Sequence, residues 1–156
     1  MTPSEILCLN LEEVRRRSER IWSVIPPERL GWRPDPDAMS CIEMVRHVLE
    51  GEYLYLRMLQ ARRSVDASET PFSSAPYTTV AAELARARPH RRALLDHVRS
   101  LTAEDLRCIM VDRSDVGYVR SAGDFILRMA YHEAVHAGQL LGYLRAANVA
   151  RPVIWD

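Results

Sequence analysis

The chain has 156 residues, 47% of them apolar and 27% charged, a balance that fits one folded domain over residues 1–156 with a substantial core. Its 21 basic and 21 acidic residues cancel, which excludes a nucleic-acid binder working through bulk charge. Every basic residue is an arginine, which excludes Schiff-base lysine chemistry and a P-loop lysine, and the six glycines form no dinucleotide-binding fingerprint.

In chain order, Ile6, Leu7, Leu11, Val14 and Ile21 recur at roughly helical spacing and predict a first helix over residues 3–25, stopped by Pro26 and Pro27. Residues 26–39 are rich in proline and aspartate and read as a loop whose Trp32 packs on the helices. Ser40 is an N-cap, Glu43 completes a capping box, and a second helix runs from there to about Arg63. Residues 64–77 form a long polar crossover. A third helix covers 78–100, with Thr78 or Thr79 as its cap and Pro89 expected to kink or split it. Residues 101–120 read as a short hairpin or extended segment. Ser121 or Asp124 opens a fourth helix that reaches about Asn148, just before Pro152. Four amphipathic helices with one or two long connections describe an all-α four-helix bundle. No apolar run approaches the ~20 residues of a membrane span. The first residues lack the basic and hydrophobic blocks of a secretion signal, so a cytoplasmic location is expected.

The chemistry concentrates in His132-Glu133-Ala134-Val135-His136. Two imidazoles four residues apart on a helix project from one face and together can bind a divalent transition metal. On the fourth helix Phe125, Met129, His132, His136 and Leu140 form one stripe; on the second, Met44, His47, Gly51, Leu54 and Met58 form another. Two core-facing stripes can meet inside a bundle, so His47 is the candidate third ligand. His90 and His97 share a face of an arginine-rich helix and read as border residues. Glu133 is a candidate catalytic base, with an outer acceptor or a salt-bridge partner as its alternatives. Glu43 and Glu50 flank His47 and either can orient its ring, though a solvated helix edge accounts for both.

The string also matches the zinc-protease signature, but the downstream sequence departs from it. No glutamate follows Glu133, and Gln139 and Gly142 stand where a metzincin carries glycine and histidine. A ferritin-like di-iron site needs two Glu-x-x-His pairs, and only Glu133 to His136 supplies one. Cys8, Cys41 and Cys108 are far apart and read as reduced thiols, with Cys41 the nearest to His47 in sequence.

The segments Leu30-Gly-Trp-Arg-Pro34, Met39-Ser-Cys-Ile-Glu-Met-Val-Arg-His47, His132-Glu-Ala-Val-His-Ala-Gly-Gln-Leu140 and Leu144-Arg-Ala-Ala-Asn-Val-Ala-Arg-Pro152 together resemble the DinB/YfiT-like superfamily of bacterial four-helix-bundle metalloproteins. The resemblance covers nearly the whole chain. It implies an up-down-down-up bundle and a divalent metal, zinc or nickel, held by His47, His132 and His136. It also implies a thiol-dependent transferase or a hydrolase acting on a small electrophile, using a low-molecular-weight thiol such as bacillithiol or mycothiol. A metal-binding or DNA-damage and stress-response protein without turnover is the alternative. Arg46 and Arg128 are candidates to steer an anionic thiol, with ordinary helix-surface charge as the other reading. Finally, Ala130, Ala134, Gly138, Gly142 and Ala146 form a small-residue ridge on the fourth helix, which points to a homodimer, with packing against a neighbouring helix of the same bundle as the other reading.

Overall fold

The structure, a computed structural model, describes residues 1–155 and contains five helices and one two-stranded sheet among them. The long helices are α1 (Pro3–Ser23), α2 (Cys41–Ala61), α3 (Val80–Ser100) and α5 (Ala122–Ala146). Between α3 and α5 lie a short helix α4 (Ala103–Cys108) and an antiparallel hairpin, β1 (Met110–Arg113) with β2 (Tyr118–Ser121). None of the helices is long and apolar enough to cross a membrane.

Local chemistry sets the helix starts. Ser40 and Glu43 form the expected reciprocal capping box on α2, and Thr2 with Glu5 does the same on α1. Thr79 caps α3 and Ser121 caps α5. The short α4 was not anticipated from the sequence, although Thr102 and Asp105 form a capping box there too. Of the two outcomes expected of Pro89, splitting does not occur: α3 runs through it. Proline removes one helical N–H and leaves the carbonyl four residues earlier unbonded. Here Pro89 and Ala85 are both exposed, so water can satisfy that carbonyl.

Side-chain registers define how the long helices run. Arg46 meets Glu83, Glu52 meets Arg91 and Tyr53 meets His90, so α2 and α3 run parallel. His47 meets His136, Gly51 meets His132 and Tyr55 meets Phe125, so α2 and α5 run antiparallel. Cys8 reaches the Leu95 carbonyl and Leu11 receives Arg91, so α1 opposes α3. Each long helix packs on two of the others, in the cycle α1, α5, α2, α3.

The core has two apolar clusters. One gathers Leu7, Leu11, Leu59, Leu94, Phe125 and Ile126; the other gathers Ile21, Trp22, Met44, Leu49, Phe72 and Leu140. An ionic layer involves one side chain from each long helix: buried Arg15, Glu52 and Glu133, with partly buried Arg91. Two guanidinia and two carboxylates leave that layer neutral, which is what makes its burial tolerable. A second buried pair, Arg46–Glu83 at 2.6 Å, ties α2 to α3. Arg46 also donates to the carbonyls of Phe72, Ala75 and Pro76 and covers the Tyr77 ring at 3.8 Å, so it pins the crossover between α2 and α3. Trp32 packs edge-on against Tyr143 at 5.5 Å, as expected.

Candidate metal centre

His47 on α2 faces His132 and His136 on α5, and the three ligand nitrogens lie within 4.8 Å of one another. The antiparallel register explains the meeting: successive turns of α2 carry His47, Gly51 and Tyr55, and they pass successive turns of α5 running the other way. The Nε2 of His132 lies 3.1 Å from the Nε2 of His47 and 3.1 Å from that of His136. One imidazole nitrogen has one proton or one lone pair, so two such contacts are poorly served by hydrogen bonding alone. A tetrahedral ion with Zn–N bonds of about 2.0–2.1 Å spaces its nitrogens by roughly 3.3 Å, close to what the chain presents. The donor set therefore fits a divalent transition-metal ion.

The electrostatics agree. Burial, then the neighbouring imidazoles of His136 and His47, holds the His132 pKa down at about 4. Burial, followed by the charge of His136, lowers that of His47 as well. Both rings are neutral near pH 7 and keep lone pairs for a metal. Gln139 accepts a hydrogen bond from Nδ1 of His136 at 2.7 Å, which leaves Nε2 of that ring unprotonated and aimed at the centre. All three rings are partly accessible to solvent.

Gly51 matters because His132 leans on it. A Cβ at that position would stand 3.3 Å from Cε1 of His132. Tyr55, one turn further along α2, lies edge-on to His132 with ring centroids 5.6 Å apart, and burial raises its phenol pKa. Sequence reasoning named neither Gln139 nor Tyr55 as a site residue. The signal for Gln139 was its spacing, three residues after His136 on the same side of α5.

The other candidates lie elsewhere. Glu133 is buried, and both of its oxygens accept from Arg15, at 2.8 and 3.1 Å, inside the ionic layer. Of its expected roles, the salt-bridge partner is the one the contacts describe, with the difference that the bridge is internal. Arg46 cannot steer an anion at the mouth of the site, because it is buried against Glu83 and the crossover. Arg128 is partly exposed, one turn before His132 on α5. Glu50 accepts from the Thr70 hydroxyl, and Glu43 serves Ser40 and Arg33. His90 stacks on Tyr53 and His97 is half-buried, both away from the triad. Cys41 is buried in the second apolar cluster, which raises its thiol pKa, so it supplies no thiolate to the site.

Comparison with known proteins follows the same line. In fold the chain is similar to a DinB-like protein from Bacillus subtilis, with a TM-score of 0.71 and 20% identity over 96% of this chain and 97% of that one. It is also similar to a DinB-like protein from Bacillus cereus, with a TM-score of 0.70 and 16% identity over 92% of this chain and 91% of that one. No curated protein matches the sequence. The family model of the DinB superfamily matches residues 10–140, a span that includes all three histidines and the helices that bring them together. The chain belongs to the DinB superfamily.

Proposed function

We propose that this protein is a divalent-metal-dependent enzyme acting on a small electrophilic molecule, with a low-molecular-weight thiol or water as the attacking group. The observation that carries this reading is the convergence of His47, His132 and His136, with the His132 Nε2 3.1 Å from each of the other two, on a face that solvent reaches. No fourth histidine, cysteine or carboxylate joins the cluster among the described residues, which favours an open coordination position over a closed structural site. The helix registers support an up-down-down-up four-helix bundle as the scaffold.

A zinc or nickel ion held by the triad supplies Lewis acidity and lowers the pKa of a thiol or water beside it. The chain's own residues prepare the site. Partial burial keeps His47 and His132 neutral, and Gln139 sets the tautomer of His136. Gly51 lets α2 approach α5 closely enough for all three rings to meet. Glu133 is a structural residue in this reading: its buried ion pair with Arg15 ties α5 to α1 beside the site. A thiol of the bacillithiol or mycothiol kind matches the resemblance in the sequence.

The test is elemental analysis of purified protein, followed by a thiol-conjugation screen against small electrophiles. About one equivalent of zinc or nickel is expected, and none in His136→Ala. Full metal occupancy in that variant refutes the triad. A loaded protein that turns over no electrophile with bacillithiol, mycothiol or water refutes the enzyme.

We also propose a homodimer through the exposed edge of α5. Gly138 and Gly142 meet no neighbouring side chain, and Leu127, Tyr131 and Val135 are exposed beside them. Sedimentation giving only monomer at micromolar concentration refutes this interface.

A further inference from the structure

The stripe that carries the triad continues along α5 toward its start. Asp124, Arg128, His132 and His136 follow at four-residue steps on one face. Four residues advance a helix by about 6 Å, so Arg128 sits one turn from His132. The hairpin packs against α2 and α5 at that side. It is fastened to the end of α2 by Asp112 N–H to the Arg62 carbonyl at 2.9 Å and Ser64 N–H to the Asp112 carbonyl at 3.2 Å. Strand alternation turns Tyr118 and Arg120 to one face of β2, and Arg113 is the cross-strand partner of Tyr118.

These elements gather three guanidinium groups on one ring. The guanidinium carbons of Arg128, Arg120 and Arg113 lie 4.7, 5.4 and 5.6 Å from the Tyr118 ring centroid. The only carboxylate within ion-pair distance of any of them, among the described residues, is Asp124, 2.6 Å from Arg120. Three positive charges against the Asp124 carboxylate leave an excess of two, tempered at Arg113 by Asp115, which accepts from the Ser64 hydroxyl that Arg113 also donates to. Asp112 accepts from the Ser114 N–H. The Nε of Arg120 is buried with no hydrogen-bond partner, and Arg128 has no acceptor among the described residues. Arg113 is held in place by donating to Ser64 Oγ at 3.1 Å and to the Tyr118 hydroxyl at 3.2 Å. Arg128 precedes His132 by one turn on the same face of α5, and Tyr55 on α2 lies edge-on to His132 at 5.6 Å, so the cluster neighbours the triad along that face.

We infer that Arg113, Arg120 and Arg128, arranged around Tyr118, form an anion subsite that takes a carboxylate or phosphate group on the molecule handled at the histidine triad. This rests on the metal-site reading for its purpose but not for its existence. Guanidinium forks suit planar carboxylates and phosphate oxygens alike, and partial enclosure by an aromatic ring strengthens the attraction over that of a free surface charge.

The test titrates metal-free full-length protein with inorganic phosphate and, separately, with acetate, following the arginine side-chain Nε–H signals by NMR. Saturable shifts are expected at Arg113, Arg120 and Arg128 and not at Arg88 on α3. The tighter of the two anions identifies the source as phosphate or carboxylate. Arg128→Gln is expected to weaken binding about tenfold and Arg128→Lys to restore part of it. Absence of saturable shifts, or equal binding by Arg128→Gln, overturns the subsite. A second arm loads the protein with cobalt and compares 3-mercaptopropionate with 3-mercaptopropanol by thiolate-to-cobalt absorption. A preference of about tenfold for the carboxylate is expected, and it disappears in Arg128→Gln. Equal affinity for the two thiols overturns the link between subsite and triad. Failure of cobalt to bind refutes the metal reading alone, since the anion titration is made without metal.

Discussion

Replacing Glu133 with glutamine separates the two roles open to this residue. The carboxylate is buried and receives Arg15 at 2.8 and 3.1 Å, while Arg15 keeps a longer contact of 3.4 Å to Glu52. Removing one partner of a buried pair costs about 3–5 kcal/mol, because the remaining charge is left without compensation. Glutamine retains one acceptor and Glu52 retains its charge, so the lower end, about 3 kcal/mol, is the expected loss. For a domain of this size that lowers the melting temperature by roughly 6–12 °C. The assay is thermal and urea unfolding by circular dichroism on metal-free protein, paired with zinc affinity by competition with a chromogenic chelator. Reduced stability with zinc affinity within about threefold of wild type is expected, since the ligand nitrogens do not depend on that carboxylate for their lone pairs. A variant that melts within about 2 °C of wild type yet loses all turnover refutes the reasoning and makes Glu133 the base.

Gly51→Ala is expected to act with opposite signs on fold and site. Alanine stabilises a helix interior by up to about 1 kcal/mol over glycine, but its methyl presses on His132 and lowers zinc affinity by about tenfold; urea unfolding and chelator competition read the two effects separately. Gln139→Leu removes the acceptor that sets the His136 tautomer, and a roughly 10–100-fold loss of zinc affinity is expected by the same competition assay. The metal-free protein is expected to lose stability as the pH falls from about 6.5 toward 4, because the unfolded chain takes up a proton on His132 before the folded one does. Above the unfolded value both states are neutral at this ring and the contribution is complete. Urea midpoints at pH 7.5 and 4.5 measure the slope, and His132→Asn is expected to flatten it.

Much of this was readable from side-chain spacing. The four-residue step between His132 and His136 fixes them on one face of α5 without reference to any neighbour. His47 was readable because its stripe on α2 is apolar, which implied that it turned toward another helix. Ser40 and Glu43 announced the start of α2 through a purely local bond pair. What escaped depends on partners distant in sequence. Arg46 lies on the same helix as His47, and nothing local distinguishes an arginine on the surface from one buried against Glu83, 37 residues away. Glu133 likewise meets Arg15 across 118 residues, and only the packing of α1 on α5 decides whether its carboxylate faces solvent or core. Pro89 misled for the opposite reason: the local penalty was read correctly, but exposure of Ala85 and Pro89 lets water relieve it.

The crossover pinned by Arg46 bears on how this chain can change over time. Phe72 is fully buried, and its carbonyl together with those of Ala75 and Pro76 accepts from the one Arg46 guanidinium. Phe72 is therefore part of the interior although its neighbours at 73, 74 and 76 are exposed, and a length change between 72 and 76 withdraws an aromatic plug and strands a buried cation. Residues 66–69, a few positions earlier, are exposed and bonded only among themselves, as in the Asp66–Ser68 turn. Lineages carrying inserted segments in this connection are expected to place them before Thr70, and a tag or reporter loop grafted at 67–68 should be carried without loss of the fold, whereas one at 73–74 should not.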